Sequence, residues 1–475
     1  MAALATGAPV QLERAFDHAA GLVEASAGAE PGRALAADGR IWHDAGATTG
    51  QMLALMLADL AEILRRLDAR GVPPARTLAS TDLRVAVDAD IFTNIAALRA
   101  LRRLFASLAA AAGVPDVRPL IHAFTAERMY TRYDPWTNML RATAATLAAV
   151  TGGAGVITVL PFDHALGLPD RLSRRIARDT QLIARLESNL HRVIDPAGGA
   201  PYVKHLADGL ARRAWELFRE IEATGGLVAA LERGHVQEML ARSREERERR
   251  IRTREELLVG VADFPDLAER RPQPRTPDLA ALRARAQEAV ARAEDLPGDF
   301  AGLLARAAAG ATFRHTGPDP QVAPLPRVRL AEPFERLRDL AEVRRQRGAE
   351  VPEAAVFGIG RPRDYVDRSG FAKNLFEAGG FPAREIAPVA GPEEAARALR
   401  EGGFAIAALA GADEALEREG AAFAAALRGA GARRVFLVGR PAVVPEGLDG
   451  VLRRGIDVVA LLEDLWRAFG EEVAA

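Results

Sequence analysis

The 475-residue sequence predicts an α/β fold assembled from parallel strands, on two observations. Between residues 33 and 188 one rhythm repeats four times: a short apolar run, a polar turn, then a long segment with apolar residues at three- and four-residue spacing. From residue 354 a second set of five apolar runs begins, again separated by helical patterns. A strand that reaches its neighbour through a helix lies parallel to it, because parallel pairs need a crossover of a dozen residues or so.

The first set comprises ALAADGRIWH (34–43), RTLASTDL (76–83), RPLIHAF (118–124) and GVITVLPF (155–162). Leu53, Leu57, Leu60, Leu64 and Leu67 mark the buried face of the helix after the first run. Four such units are half of what a closed (β/α)8 barrel requires. Residues 1–32 hold one helix-like segment, VQLERAFDHAAGLVEAS, too little for four more βα units of roughly 30 residues each. If the four units are half of such a barrel, as a family resemblance implies, they are expected to leave two open edges and an apolar inner face. A truncated reading frame, strands supplied by a second polypeptide and a sheet covered by helices each meet that demand; the first is the expectation, since MAALATGAPV reads like the middle of a coding sequence.

Residues 33–262 therefore form one portion, with helices over 200–260 that include AWELFREIEA (214–223), closed by Gly225 and Gly226. SREERERRIRTREE (243–256) alternates Glu and Arg and reads as a solvated helix laced with ion pairs. Prolines accumulate from 263, so 263–345 is read as a linker carrying helices. Over 346–475 the runs AAVFGIG (354–360), AREIAPV (383–389), FAIAALAG (404–411), RRVFLVG (433–439) and GIDVVALL (455–462) fit a small doubly wound sheet of flavodoxin type.

Composition excludes several functions. Lys and Arg number 63 against 64 Asp and Glu, a net charge of −1 that gives no footprint for nucleic acid. With no cysteine, disulfides, Cys-ligated zinc, iron–sulfur clusters and thiol nucleophiles are out. No stretch of about 18 apolar residues spans a membrane, and the N-terminus lacks the pattern of a secretion signal. A cytoplasmic protein is expected. Gly358 and Gly360 make a G-x-G after a strand, but Arg363 holds the third glycine's place and a tight turn is the reading. His43, His122, His164, His191 and His205 show no metal-ligand spacing. Asp134, Asp163 and Asp195 sit at element junctions, where helix capping is the expected role.

One stretch carries more. DPWTNMLRAT (134–143), SRRIARDTQL (173–182) and DPAGGAPYV (195–203), followed by AWELFREIEATGG (214–226), closely resemble the adenosylcobalamin-dependent methylmalonyl-CoA mutase family, and the likeness runs from about residue 33 to 262. The resemblance implies the second half, strands five to eight, of a (β/α)8 TIM barrel that encloses acyl-CoA. It also implies a C-terminal flavodoxin-like domain of the type that carries cobalamin.

The reactive positions are carried over one at a time. The histidine that precedes A-G-A-T in catalytic members falls on Ile41, with His43 on the same strand face one pleat further. The His-x-Gln pair of the next-but-one strand falls on His122 and Phe124, so the amide is lost. The glutamate after the last strand falls on His164. The cobalt-binding D-x-H-x-x-G loop should follow AAVFGIG, yet no histidine follows His315; its place falls on Asp367 or, by a second anchoring, on Tyr365. A carboxylate or phenol is a poor substitute for that nitrogen donor.

These losses resemble the small (beta) subunit of the heterodimeric enzymes, of which FAKNLFEAGG (371–380) is typical. The resemblance implies a non-catalytic chain that binds no cofactor. Adenosylcobalamin would sit in a catalytic large subunit, which would also meet the acyl-CoA, and the pair would interconvert methylmalonyl-CoA and succinyl-CoA. A self-sufficient mutase of altered specificity and a regulatory or scaffold homologue are the alternatives.

Overall fold

A computed structural model describes residues 2–8, 10–26, 33–273, 275–314 and 322–472. His315 lies outside the described residues, as do parts of the N-terminal and proline-rich segments. The fold is α/β with parallel sheets, and the chain packs as two units. One comprises Met1–Tyr130, Asn138–Glu245 and Gln273–Arg329; the other comprises Thr131–Thr137, Glu246–Pro272 and Leu330–Ala475.

In the first unit helix α1 (Leu12–Ala25) precedes strand β1 (Leu35–Asp38). Helices α2 (Arg40–Asp44) and α3 (Thr49–Asp68) follow, then β2 (Thr81–Val87), α4 (Ile91–Ala111), β3 (Leu120–Thr125), α5 (Thr137–Thr151) and β4 (Val156–Thr158). Helices α6 (Arg171–Leu186) and α7 (Pro201–Ala223) come next. The four strands pair in chain order, all parallel. Helix α3 begins with a capping box between Thr48 and Gln51, and the five leucines of its expected face are all buried. Met52, Ala54, Leu55, Met56 and Ala58 are buried too, so α3 is buried nearly all round and forms the centre of the core. Leu83, Val85, Ile121 and Ala123 bring one face of the sheet into that core.

Three sequence boundaries shift. The first run does not continue as a strand to His43: it turns at Gly39, where a Cβ would lie 2.5 Å from Met56 Sδ, and 40–44 are helical. Ile41 and His43 therefore do not share a strand face. The start of the second run is helical instead: Pro74–Ala79 form a helix opened by Pro74 at its first position, and the strand starts at Thr81. The fourth run pairs over three residues only before Pro161.

The second unit includes the C-terminal part of α8 (His235–Arg252). As the charge alternation predicts, Arg249 meets Glu246 at 2.9 Å and Arg247 meets Glu256 at 2.6 Å. After α9 (Leu279–Arg292) of the first unit come α10 (Glu332–Gln346), β5 (Ala354–Ile359), α11 (Pro362–Ala378) and β6 (Ala383–Val389). Then follow α12 (Pro392–Gly402), β7 (Ile406–Ala410), α13 (Asp413–Gly429), β8 (Arg434–Val438), β9 (Gly450–Leu452) and α14 (Val458–Ala468). The parallel sheet has the order β9-β8-β7-β5-β6. Strand β5 alternates: Ala354 and Val356 join a core with Phe376 and Trp466, whereas Ala355 and Phe357 join one with Leu399 and Phe423. Helices thus cover both faces. The expected fifth strand is corrected: GIDVVALL opens α14, capped by Asp457, because its apolar residues continue at helical spacing to Leu465 and Trp466. No described helix is long and apolar enough to cross a membrane.

Candidate functional site

Pairing register decides what the first unit's sheet presents. Asp38 lies opposite Arg84, Arg84 opposite His122, and Phe124 opposite Thr158. These residues and Asp82 share the face turned away from the helical core. The expectation of an apolar inner face is therefore wrong: the face is charged, and its charges are paired. Asp38 takes the Arg40 guanidinium at 2.6 Å, and Asp82 takes Arg84 at 3.1 Å. His122 Nε2 lies 2.8 Å from Thr158 Oγ1, with Nδ1 3.7 Å from Asp82. Burial pushes the His122 imidazole below its ordinary value against the pull of Asp82, so near neutrality it acts as a neutral hydrogen-bonding group.

A cavity of about 270 Å³ opens at the carboxyl ends of these strands, lined by Asp38, Arg40, Ile41, Phe124, Glu127 and Leu160 among others. It brings together two of the predicted positions, Ile41 and Phe124. The Phe124 ring stacks on His122 at 4.0 Å, and the Arg40 guanidinium lies 4.0 Å from its centroid. The Phe124 ring thus takes both a stacking and a cation–π contact. His43 does not line this cavity: it is buried, 3.5 Å from Asp44 and 3.8 Å from Asp88. Burial opposes ionisation of Asp88, yet His43 and Asn94 hold its carboxyl below the usual carboxylate range. His164 leans toward Glu127, Nε2 to Oε2 3.4 Å, and Glu127 also pairs with Arg327. Burial lowers the His164 pKa, so near pH 7 this is a contact between a neutral ring and a carboxylate. Arg40 and Glu127 were not singled out from sequence, because only the fold puts a helix-start arginine over strand β3.

Helix capping is not the role of Asp163 or Asp195. Asp163 is buried with Oδ1 unpartnered, and Asp195 binds Arg99 at 2.5 Å. Asp134 accepts from Thr137 Oγ1 at the start of α5. Among the described residues no group of His, Asp and Glu could hold a metal ion.

Beneath this face, Asp59 on α3 is buried with one oxygen unpartnered, and burial pushes its carboxyl up to about 6. The folded state then binds the extra proton between the unfolded value near 3.8 and about 6, so stability falls as pH rises through that window. Asp59→Asn is expected to abolish this slope and to gain roughly 1–3 kcal/mol at pH 7.5. Urea unfolding of both proteins at pH 4 and pH 7.5 measures it; a constant difference across pH would refute the assignment.

In the second unit, β5 ends at Ile359, Gly360 turns with φ +87°, and α11 starts at Pro362. The G-x-G is therefore a tight turn, with Gly358 packed so closely that a Cβ would lie 2.7 Å from the Tyr365 ring. Both predicted cobalt-loop positions lie on the helix and not on a loop. Tyr365 is buried against the strand, and Asp367 is exposed. Arg368, which nothing in the sequence marks, closes the floor of the crevice at the strand ends. Its Nη1 donates to Gly411 O at 2.6 Å, Asp413 Oδ1 at 2.6 Å and Val438 O at 3.2 Å. The donors here are a carboxylate, a buried phenol and a guanidinium, so the residues do not fit cobalt held by an imidazole.

Two α/β units with parallel sheets are consistent with the fold of the acyl-CoA mutase class. The methylmalonyl-CoA mutase family model matches residues 10–296, and the chain belongs to that family. It is 40% identical to the methylmalonyl-CoA mutase small subunit of Streptomyces virginiae over 90% of this chain and 63% of that protein. It is 33% identical to the probable small subunit of Mycobacterium bovis over 92% of this chain and 65% of that protein. Identity to the methylmalonyl-CoA mutase of Escherichia coli is 33%, over 46% of this chain. The chain spans a little under two thirds of the length of the small subunits it matches.

Proposed function

We propose that this chain serves as the small, non-catalytic subunit of a heterodimeric methylmalonyl-CoA mutase in the cytoplasm. In this reading the β1–β4 sheet is the second half of a (β/α)8 barrel, and residues 346–475 are a flavodoxin-like domain that has lost its cobalamin site. The large subunit holds adenosylcobalamin, binds the acyl-CoA and interconverts methylmalonyl-CoA and succinyl-CoA, the radical chemistry coming from that cofactor.

The observation that carries the reading is the crevice floor: the Arg368 guanidinium is fastened across the ends of β7 and β8, and both candidate ligand positions lie on α11. Replacement of the reactive positions by Ile41, Phe124 and His164 supports it from the other unit. Co-expression with a full-length catalytic mutase subunit tests it. The two chains are expected to co-elute from gel filtration, with isomerisation only in fractions that contain the large subunit. Isomerisation by this chain alone would establish a self-sufficient mutase, and failure to co-elute would point to a scaffold homologue.

A further inference from the structure

Arg440, Arg453 and Arg454 follow the carboxyl ends of β8 and β9 on the rim of a second-unit cavity of about 330 Å³. That volume lies at the lower end of small-molecule sites, and the ends of parallel strands are where open α/β sheets bind ligands. Phe371, Val438 and Leu452 give it an apolar wall. Four arginines and two aspartates line it. One aspartate is already committed, since Asp413 accepts from Arg368 at 2.6 Å and from the Arg440 backbone N–H at 3.1 Å. The side chains of Arg440, Arg453 and Arg454 have no hydrogen bond or ion pair among the described residues, and the other aspartate, Asp367, has none either. A fifth arginine adds to the positive field. Arg254, with a side chain 8% exposed, stacks 5.5 Å from the centre of Phe371; Asp263 and Asn374 take its Nη2, while Nε and Nη1 are unpartnered.

We infer that this crevice binds a phosphoryl dianion. Three free guanidinium forks on one rim exceed what the two oxygens of a carboxylate can satisfy, whereas a phosphoryl group offers three equivalent acceptors and up to two charges. The apolar wall suits the organic part of a phosphate monoester, and the anion itself can come from an ester or from free phosphate. The inference stands apart from the subunit reading, because it uses only the free arginines and the cavity.

Equilibrium dialysis of the full chain against inorganic phosphate, adenosine 5′-monophosphate and adenosine tests it. Both anions are expected to bind and adenosine not to. The Arg453→Ala, Arg454→Ala double variant, with an unchanged circular dichroism spectrum, is expected to bind at least about tenfold more weakly, and Asp367→Asn more tightly. Tighter binding of the monophosphate than of phosphate identifies an ester as the ligand; equal binding identifies free phosphate. Absence of binding of either anion up to about 10 mM, an affinity too weak for a specific site, would overturn the inference. Undiminished binding by the double variant would overturn it as well.

Discussion

Passed through gel filtration with adenosylcobalamin, the lone chain is expected to emerge without a cobalamin spectrum, and Asp367→His is expected to change nothing. A new imidazole at 367 would supply the right atom type, but on the exposed face of α11 and without a seat. Directly below, Arg368 donates to the ends of two strands and to Asp413. Emptying that floor would remove a donor from the buried Gly411 and Val438 carbonyl oxygens, at about 1–3 kcal/mol for each buried acceptor left unpaired, and would cut Asp413 back to the Arg440 N–H. Tyr365, the other candidate position, packs so tightly beneath Gly358 that it cannot turn outward without unpacking β5. Three independent features must therefore change before the crevice accepts a corrin. Nor, in the proposed reading, would a seated cofactor restore chemistry while Ile41 stands where the resemblance puts a substrate-contacting histidine and His164 where it puts a glutamate near the cofactor's ribose. Stoichiometric cobalamin on either protein, or measurable isomerisation by Asp367→His alone, would sink this account.

Periodicity made most of the architecture legible and failed where tertiary packing overrode it. β6 runs over the seven residues its pattern indicates, and β5, β7 and β8 fall within their runs. The last strand was missed because β9 is a three-residue edge, too short for a pattern, while the apolar run after it belongs to α14. The turn falls at Gly39, where Met56, seventeen residues on, crowds the place a Cβ would take. No local signal reveals that. The same limit applies to the sites. Ile41, Phe124 and His164 could be placed by resemblance, but Arg40, Glu127 and Arg368 act through neighbours distant in sequence. The polar inner face was readable in principle: Asp82, Arg84 and His122 alternate with apolar residues along β2 and β3, a half-exposed pattern that the barrel expectation masked.

Trp466→Ala is expected to be the most damaging single substitution in the second unit, at about 4 kcal/mol, near the middle of the range for a buried tryptophan. The string FAKNLFEAGG, which marks the resemblance to small subunits, explains why. Its Ala372, Leu375, Phe376 and Ala378 are fully buried on α11. Gly379 ends the helix with a carbonyl that accepts from Trp466 Nε1 at 2.9 Å, and the buried Phe381 stacks on the indole at 4.2 Å. The substitution would open a cavity between α11 and α14, remove the stack and orphan the Gly379 carbonyl. Trp466→Phe keeps an aromatic ring on Phe381 but not the donor, and is expected to cost about 1–2 kcal/mol. Gly379→Ala would bring a Cβ within 2.5 Å of a Leu462 methyl at an ordinary φ of −84°, so a flexible side chain yields and the loss stays below that of Trp466→Ala. Urea unfolding followed by circular dichroism gives the three values. A loss below about 2 kcal/mol for Trp466→Ala, or an order in which Gly379→Ala is the worst, would show that the string is held for a reason other than this packing.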